Sequence, residues 1–204
     1  RSMYNVFLEE AYFEEILTKT CVENLTLAPA NVALAGVERI LAHEKGRDLI
    51  LKKRLSSMVG NYDYIMLDCP PSLGLITINA LTFAKEVFIP LETKVLALNG
   101  LVTLMNTVQV VKERLNHGLE VTGIIACRFD GRTNLSNEVY NQIKERFKEK
   151  VFNTIIRENT RLAECPISGK PITLYAPEST GAADYTDLAK EVVEGENRFK
   201  EIKK

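Results

Sequence analysis

The stretch "NYDYIMLDCPPS", residues 61–72, decides how the chain is read. The apolar run Tyr64-Ile65-Met66-Leu67 ends in Asp68, followed by Cys69, Pro70 and Pro71. An apolar run without polar alternation is what a strand covered on both faces requires. Ligands of open α/β sheets bind beyond the carboxyl ends of the strands. The pattern therefore predicts a buried strand that carries the Asp68 carboxylate to such an edge. In phosphate-handling α/β proteins a carboxylate there works with a hard divalent cation, which takes oxygen ligands and keeps several waters. The plain alternative is a turn or helix N-cap aspartate. If phosphates are handled, a glycine-rich loop must also hold them.

Outward from this stretch the pattern alternates. Residues 74–84 read as a helix, and "EVFIP" (86–90) as a strand closed by Pro90. Leu101, Leu104, Met105, Val108, Val111 and Leu115 recur with the spacing of one helical face. "VTGIIAC" (121–127) is a strand, and Leu135, Val139, Ile143 and Phe147 mark a helix with Asn134 as its expected N-cap. "VFNTII" (151–156) is a further strand and residues 181–193 a last helix. Before residue 61 the expectation is a short helix near 11–18, a strand at "LTLAP" (25–29), and helices near 32–43 and 47–58, the first of that pair capped by Asn31. Apolar strands alternating with amphipathic helices predict a three-layer α/β fold: a mostly parallel sheet with helices on both faces. No repeat or linker interrupts it. Residues 1–194 read as one domain and 195–204 as a charged tail.

The bulk numbers agree. A chain of 204 residues is ordinary for one domain and can bury roughly 70% of its extended surface. A net charge of −1 excludes a wholesale basic field for nucleic acid or membrane, though not a local patch. The four cysteines, Cys21, Cys69, Cys127 and Cys165, form no CxxC pair, and two histidines leave little for a zinc site. Their apolar neighbours predict buried, reduced thiols in a cytosolic protein. No apolar run approaches the ~20 residues of a membrane helix.

"DYIMLDCPPSLGLITINAL" (63–81), "FDGRTNLSNEV" (129–139) and "SGKPITLYAPESTGAADYTDLAKEV" (168–192) together resemble the ParA/Soj-type chromosome and plasmid partition ATPases, as does "LAPANVALAGVE" (27–38). The resemblance runs from about residue 3 to 193. The division-site ATPase MinD shares the Asp-Cys-Pro-Pro edge but matches less well beyond residue 129, and its amphipathic membrane tail is not evident in "GENRFKEIKK" (195–204). Other enzymes of the same nucleotide-binding architecture, such as the nitrogenase reductase or dethiobiotin synthetase types, resemble it less, because the cysteines offer no obvious cluster-ligand pair and "FDGRTNLS" points to the ParA type.

The resemblance implies a P-loop NTPase-like ATPase that uses ATP and Mg²⁺. It implies ATP-bound homodimers, non-specific DNA binding, a ParB-type partner, and a cytoplasmic, nucleoid-associated setting without a membrane. Asp68 matches the Walker B aspartate, which holds Mg²⁺, usually through water. Cys69, Pro70, Pro71 and Gly74 match the switch segment that follows. Arg128, Phe129 and Asp130, with Arg157 on a neighbouring edge, match the adenine side. Arg161 matches a DNA-contacting arginine, and Lys170 is placed with it. Residues 128–170 hold nine Lys/Arg against six Asp/Glu, a local net of +3. Mixed-charge helix faces account equally for Lys144, Arg146, Lys148 and Lys150, and Glu178 stands where the family often has basic residues, which weakens the expected DNA affinity.

The phosphate loop itself does not occur in these residues. The family's version resembles K-G-G-x-G-K-[ST]. Of the eleven glycines only Gly169 precedes a lysine, Lys170, and Pro171 follows. The chain opens Arg1-Ser2-Met3, and the resemblance begins after the family's loop and second strand. The expectation is therefore a ParA-like domain without its N-terminal βαβ portion, read as a piece of a longer ATPase. The alternative is a naturally truncated, non-catalytic ParA-like protein that acts by protein–protein binding. Either way Asp68 alone cannot position a triphosphate, and residues 1–204 are expected to be inactive as an ATPase.

Overall fold

The structure is a computed structural model and describes residues 1–202. It divides into two compact units, Arg1–Lys85 with Asn106–Glu120, and Glu86–Met105 with Val121–Lys204.

The first unit is built mainly from short helices. α1 (Met3–Phe7) is followed by a 3-10 turn at Phe13–Ile16 and by a two-stranded antiparallel hairpin of β1 (Thr18–Lys19) and β2 (Thr26–Leu27). α2 (Val37–Ile40) and α3 (Ile50–Leu55) are each extended by 3-10 turns, so the helices expected near 32–43 and 47–58 are present in broken form. Asn31 caps the first of these turns, its side chain accepting from the Ala33 N–H at 3.0 Å. Phe7, Val37, Leu41, Leu51, Leu55, Met58 and Ala80 form the core. α4 (Leu75–Phe83) contributes Ala80, and its Asn79 is fully buried. That amide is satisfied: it accepts from the Leu51 N–H at 3.0 Å and donates to the carbonyls of Arg47 at 2.8 Å and Leu75 at 3.0 Å.

The second unit carries a three-stranded sheet in the order β3 (Glu86–Glu92), β4 (Glu120–Phe129), β5 (Ile156–Arg157), with β4 and β5 parallel. β4 starts one residue before the unit does. α5 (Val95–Arg114) spans the boundary between units, and its Leu101, Val108 and Val111 are buried as the helical spacing requires. α6 (Asn134–Phe147), α7 (Thr160–Ser168), α8 (Ile172–Tyr175) and α9 (Thr180–Ile202) complete the unit. The α/β class is as expected from the sequence.

Several expectations are corrected. Residues 64–67 are not a strand, and Tyr64 and Met66 are exposed. An apolar run becomes a strand only when it is paired into a sheet, and residues 64–67 belong to no sheet among the described residues. "VFNTII" keeps only a bridge at Val151 and the short β5. The N-cap of α6 is Thr133, whose side chain accepts from the Ser136 N–H at 3.3 Å, rather than Asn134. On α6, Val139 and Ile143 are buried but Leu135 is exposed. The thiols are free, but Cys21 and Cys69 are exposed and Cys127 and Cys165 half-buried. Cys21 lies in the hairpin turn and Cys69 in the irregular segment.

Candidate functional site

Asp68 and the segment after it belong to the first unit. Asp68 is exposed at the end of the irregular stretch, and Cys69, Pro70 and Pro71 are exposed with it. Two prolines fix φ on successive residues and narrow the shapes this segment can take. Desolvation about the Cys69 sulfur, and then the negative charge of Asp68, push its thiol above the ordinary value. The segment is joined to α4 by buried Thr77, whose hydroxyl donates to the Ser72 carbonyl at 2.6 Å. Gly74 is the N-cap of α4, and a Cβ there would stand 2.1 Å from the Glu38 carboxylate.

The second unit holds the carboxyl edge of the sheet. Arg128 adopts a left-handed backbone (φ 51°) at the end of β4. Its guanidinium donates to Glu92, at the end of β3, at 3.2 Å and to Glu158, just past β5, at 3.3 Å. The Glu158 hydrogen bond first, then the Glu92 charge, raise its pKa. One arginine thus ties three strand ends. Phe129 meets Tyr140 edge-on, with centroids 5.7 Å apart at 62°. Asp130 accepts from Arg132 at Nε and Nη2, both at 2.8 Å, and from its backbone N–H at 3.1 Å. These bonds hold its carboxyl down at about 2.

Beside this edge is a shallow cleft of about 420 Å³ lined by Phe129, Asn153, Thr154, Arg157, Asp184 and Asp187, among others. Arg157 is fixed at its wall. Its Nε donates to both oxygens of buried Asp184 at 3.1 Å, and its backbone N–H donates to Oδ2 at 3.0 Å. Glu191 accepts from the N–H groups of Asn153 at 2.7 Å and Thr154 at 2.8 Å. Burial pushes the Glu191 carboxyl up, but those donors outweigh it and leave it below the usual range. Asp184, Asp187 and Glu191 recur at i, i+3 and i+7 on α9. That acidic stripe in "ADYTDLAKE" was the available signal for residues that sequence reasoning missed.

Phe129 and Arg157 are therefore brought together, whereas Arg128 and Asp130 have their charges engaged elsewhere. Arg161 sits at the start of α7 and is exposed, with its guanidinium 3.1 Å from Glu164. Lys170 follows the left-handed Gly169 that ends α7 and is exposed.

Among the described residues no group of three or more His, Cys, Asp or Glu could hold a metal ion. Asp68 would offer Mg²⁺ one hard oxygen donor, and other ligands would have to complete its shell. A triphosphate fits less well, since no glycine-rich loop occurs in residues 1–204. No helix is long and apolar enough to cross a membrane, among the described residues.

The sequence matches the AAA domain family over residues 1–121. It is 46% identical over 190 residues to the sporulation initiation inhibitor protein Soj of Bacillus subtilis, covering 93% of this chain and 75% of that protein. It is 40% identical to the chromosome partitioning protein ParA of Myxococcus xanthus, covering 94% of this chain and 68% of that one. The fold is similar to cobyrinic acid a,c-diamide synthase of Mycobacterium smegmatis, solved with an ATP analogue and magnesium, at TM-score 0.73 and 31% identity, covering 83% of this chain and 74% of that chain.

Proposed function

The chain belongs to the ParA/Soj family of chromosome-partitioning ATPases, and we propose that it forms the metal, adenine and DNA-contacting portion of an ATP-driven partition switch. In this reading Asp68 is the Walker B carboxylate that holds Mg²⁺ through water. Cys69, Pro70, Pro71 and Gly74 form the switch segment that reports the nucleotide state to α4. Phe129 offers an aromatic face to adenine, with Arg128, Asp130 and Arg157 around it. Arg161 and Lys170 contact DNA phosphates without reading sequence. The working state is a homodimer on the nucleoid of a bacterial cytoplasm, regulated by a ParB-type partner. When bound, Mg²⁺ neutralises charge on the phosphate oxygens. This chain's own part is to place the carboxylate, seat the base and meet the DNA.

The observation that carries this reading is the family match across the chain, combined with a cleft that gathers Phe129 and Arg157 at the carboxyl edge of the sheet. A steady-state ATPase assay on purified residues 1–204 tests the division of labour. No turnover above background is expected. Magnesium-dependent hydrolysis abolished by Asp68→Ala would show that the phosphate machinery is complete in this chain.

A further inference from the structure

Arg161 does not stand alone on its helix. It is the second residue of α7, and its backbone N–H donates to the capping Asn159 side chain at 2.8 Å. Its Nη1 donates to Oε2 of Glu164, one turn along, at 3.1 Å. The Tyr175 hydroxyl, at the end of α8, donates to that same Oε2 at 2.8 Å. Two donors thus converge on one carboxylate oxygen. Glu164 is the only carboxylate within ion-pair distance of Arg161 among the described residues. The Tyr175 bond first, then Arg161, hold the Glu164 carboxyl below its usual range, so it is charged near neutral pH.

Carboxylate and phosphate oxygens compete for the same guanidinium N–H groups, and Glu164 already occupies Nη1 of Arg161. We propose that Glu164 is a built-in competitor for DNA phosphate at Arg161, held in position by Tyr175. The inference rests on the reading of Arg161 as a DNA contact. Without Tyr175 the Glu164 side chain would be free to swing into solvent. With it, a negative charge stays beside the arginine until a phosphate displaces it. Both side chains are about half exposed, 58% and 42%, so the exchange requires no opening of the fold. Glu164 is therefore a positioning and affinity-setting residue, not a contact to DNA.

The test uses the full chain, a short random-sequence DNA duplex and a salt titration. An exposed ion pair is weak, so its removal shifts affinity modestly. Glu164→Gln, which keeps shape and hydrogen bonding, should tighten binding roughly two- to fivefold. It should also steepen the dependence of log K on log salt by up to about one, because a freed arginine releases one more counterion. Tyr175→Phe should move both in the same direction, by less. In the Arg161→Ala background Glu164→Gln should have no effect beyond the general loss of a negative charge. A DNA-independent reading comes from the phenol: Tyr175 titrates above the ordinary tyrosine value chiefly because of its bond to Glu164, so Glu164→Gln should bring it down. If Glu164→Gln leaves affinity and salt slope unchanged, or weakens binding, while Arg161→Ala weakens it, the competitor role is overturned and the DNA contact stands. An unchanged Tyr175 titration overturns the network itself. If Arg161→Ala changes nothing, or the wild-type chain binds no DNA at low salt, the DNA reading falls and the competitor role with it.

Discussion

Gly123 and Gly74 face the same nominal clash and should respond oppositely to alanine. A Cβ at Gly123, in the central strand β4, would lie 2.1 Å from Cε2 of Phe152 and 2.6 Å from Cδ1 of Phe88. Non-bonded carbons rest at about 3.5–4.0 Å, so the Phe152 ring must retreat by more than an ångström. It cannot do so freely. The two rings pack edge-on with centroids 5.6 Å apart, and the Phe152 backbone is tied to the Ile124 carbonyl at 3.0 Å. Overpacking of this kind costs about 1–3 kcal/mol. At Gly74 the Cβ also meets an atom at 2.1 Å, but that atom is Oε1 of Glu38, the far end of a flexible chain. With φ at −86° the backbone there accepts any residue, so Gly74→Ala should cost under about 0.5 kcal/mol. Urea unfolding of the wild type and both variants measures this, with the slope of free energy on denaturant unchanged if only the native packing is altered. Equal midpoints for Gly123→Ala and wild type would refute the claim that the Phe88–Phe152 pair closes over the strand. A large loss at Gly74 would refute the distinction between ring and carboxylate.

Asp130 should titrate at about 2 by NMR, and Arg132→Gln should return it toward 3.8. Because its folded pKa is depressed, its contribution to stability is present above 3.8 and is lost as the pH falls through about 2. Asp184→Ala should destabilise the protein by about 1–3 kcal/mol, since it leaves the Arg157 backbone N–H and guanidinium without their buried acceptor. It should also loosen the cleft wall, visible as faster amide exchange at Arg157. Asn79→Ala removes the partner of three backbone groups in the core of the first unit and should cost about 2–4 kcal/mol in the same unfolding assay.

Elements with long, regular apolar spacing were legible in the sequence. β4, α4, α5 and the buried pair Val139 and Ile143 on α6 are where their patterns place them. The run at 64–67 misleads because apolar composition alone fixes neither pairing nor burial: the run forms no strand, and Tyr64 and Met66 are exposed. The part of the first unit before residue 61 was harder because α1, α2 and α3 are four to six residues long, and α2 and α3 run into 3-10 turns, too short for a period to register. Thr133 rather than Asn134 caps α6, a one-residue ambiguity wherever two capping residues are adjacent. Of the residues proposed for function, Asp68, Phe129 and Arg157 could be named from sequence, but their environments could not. That Arg157 is clamped by Asp184, 27 positions away, is a product of packing, and so is the meeting of Arg161, Glu164 and Tyr175.

The central claim is that these residues supply the metal carboxylate and the adenine edge of a partition ATPase, while residues 1–204 contain no glycine-rich phosphate loop. Joining to residue 1 an N-terminal segment from a family member that carries the K-G-G-x-G-K-[ST] loop tests it most directly. The account predicts magnesium-dependent ATP hydrolysis by the joined, folded protein, abolished by Asp68→Ala with no loss of helical signal. Hydrolysis that survives Asp68→Ala, or a folded chimera that binds ATP and never turns it over, would contradict it.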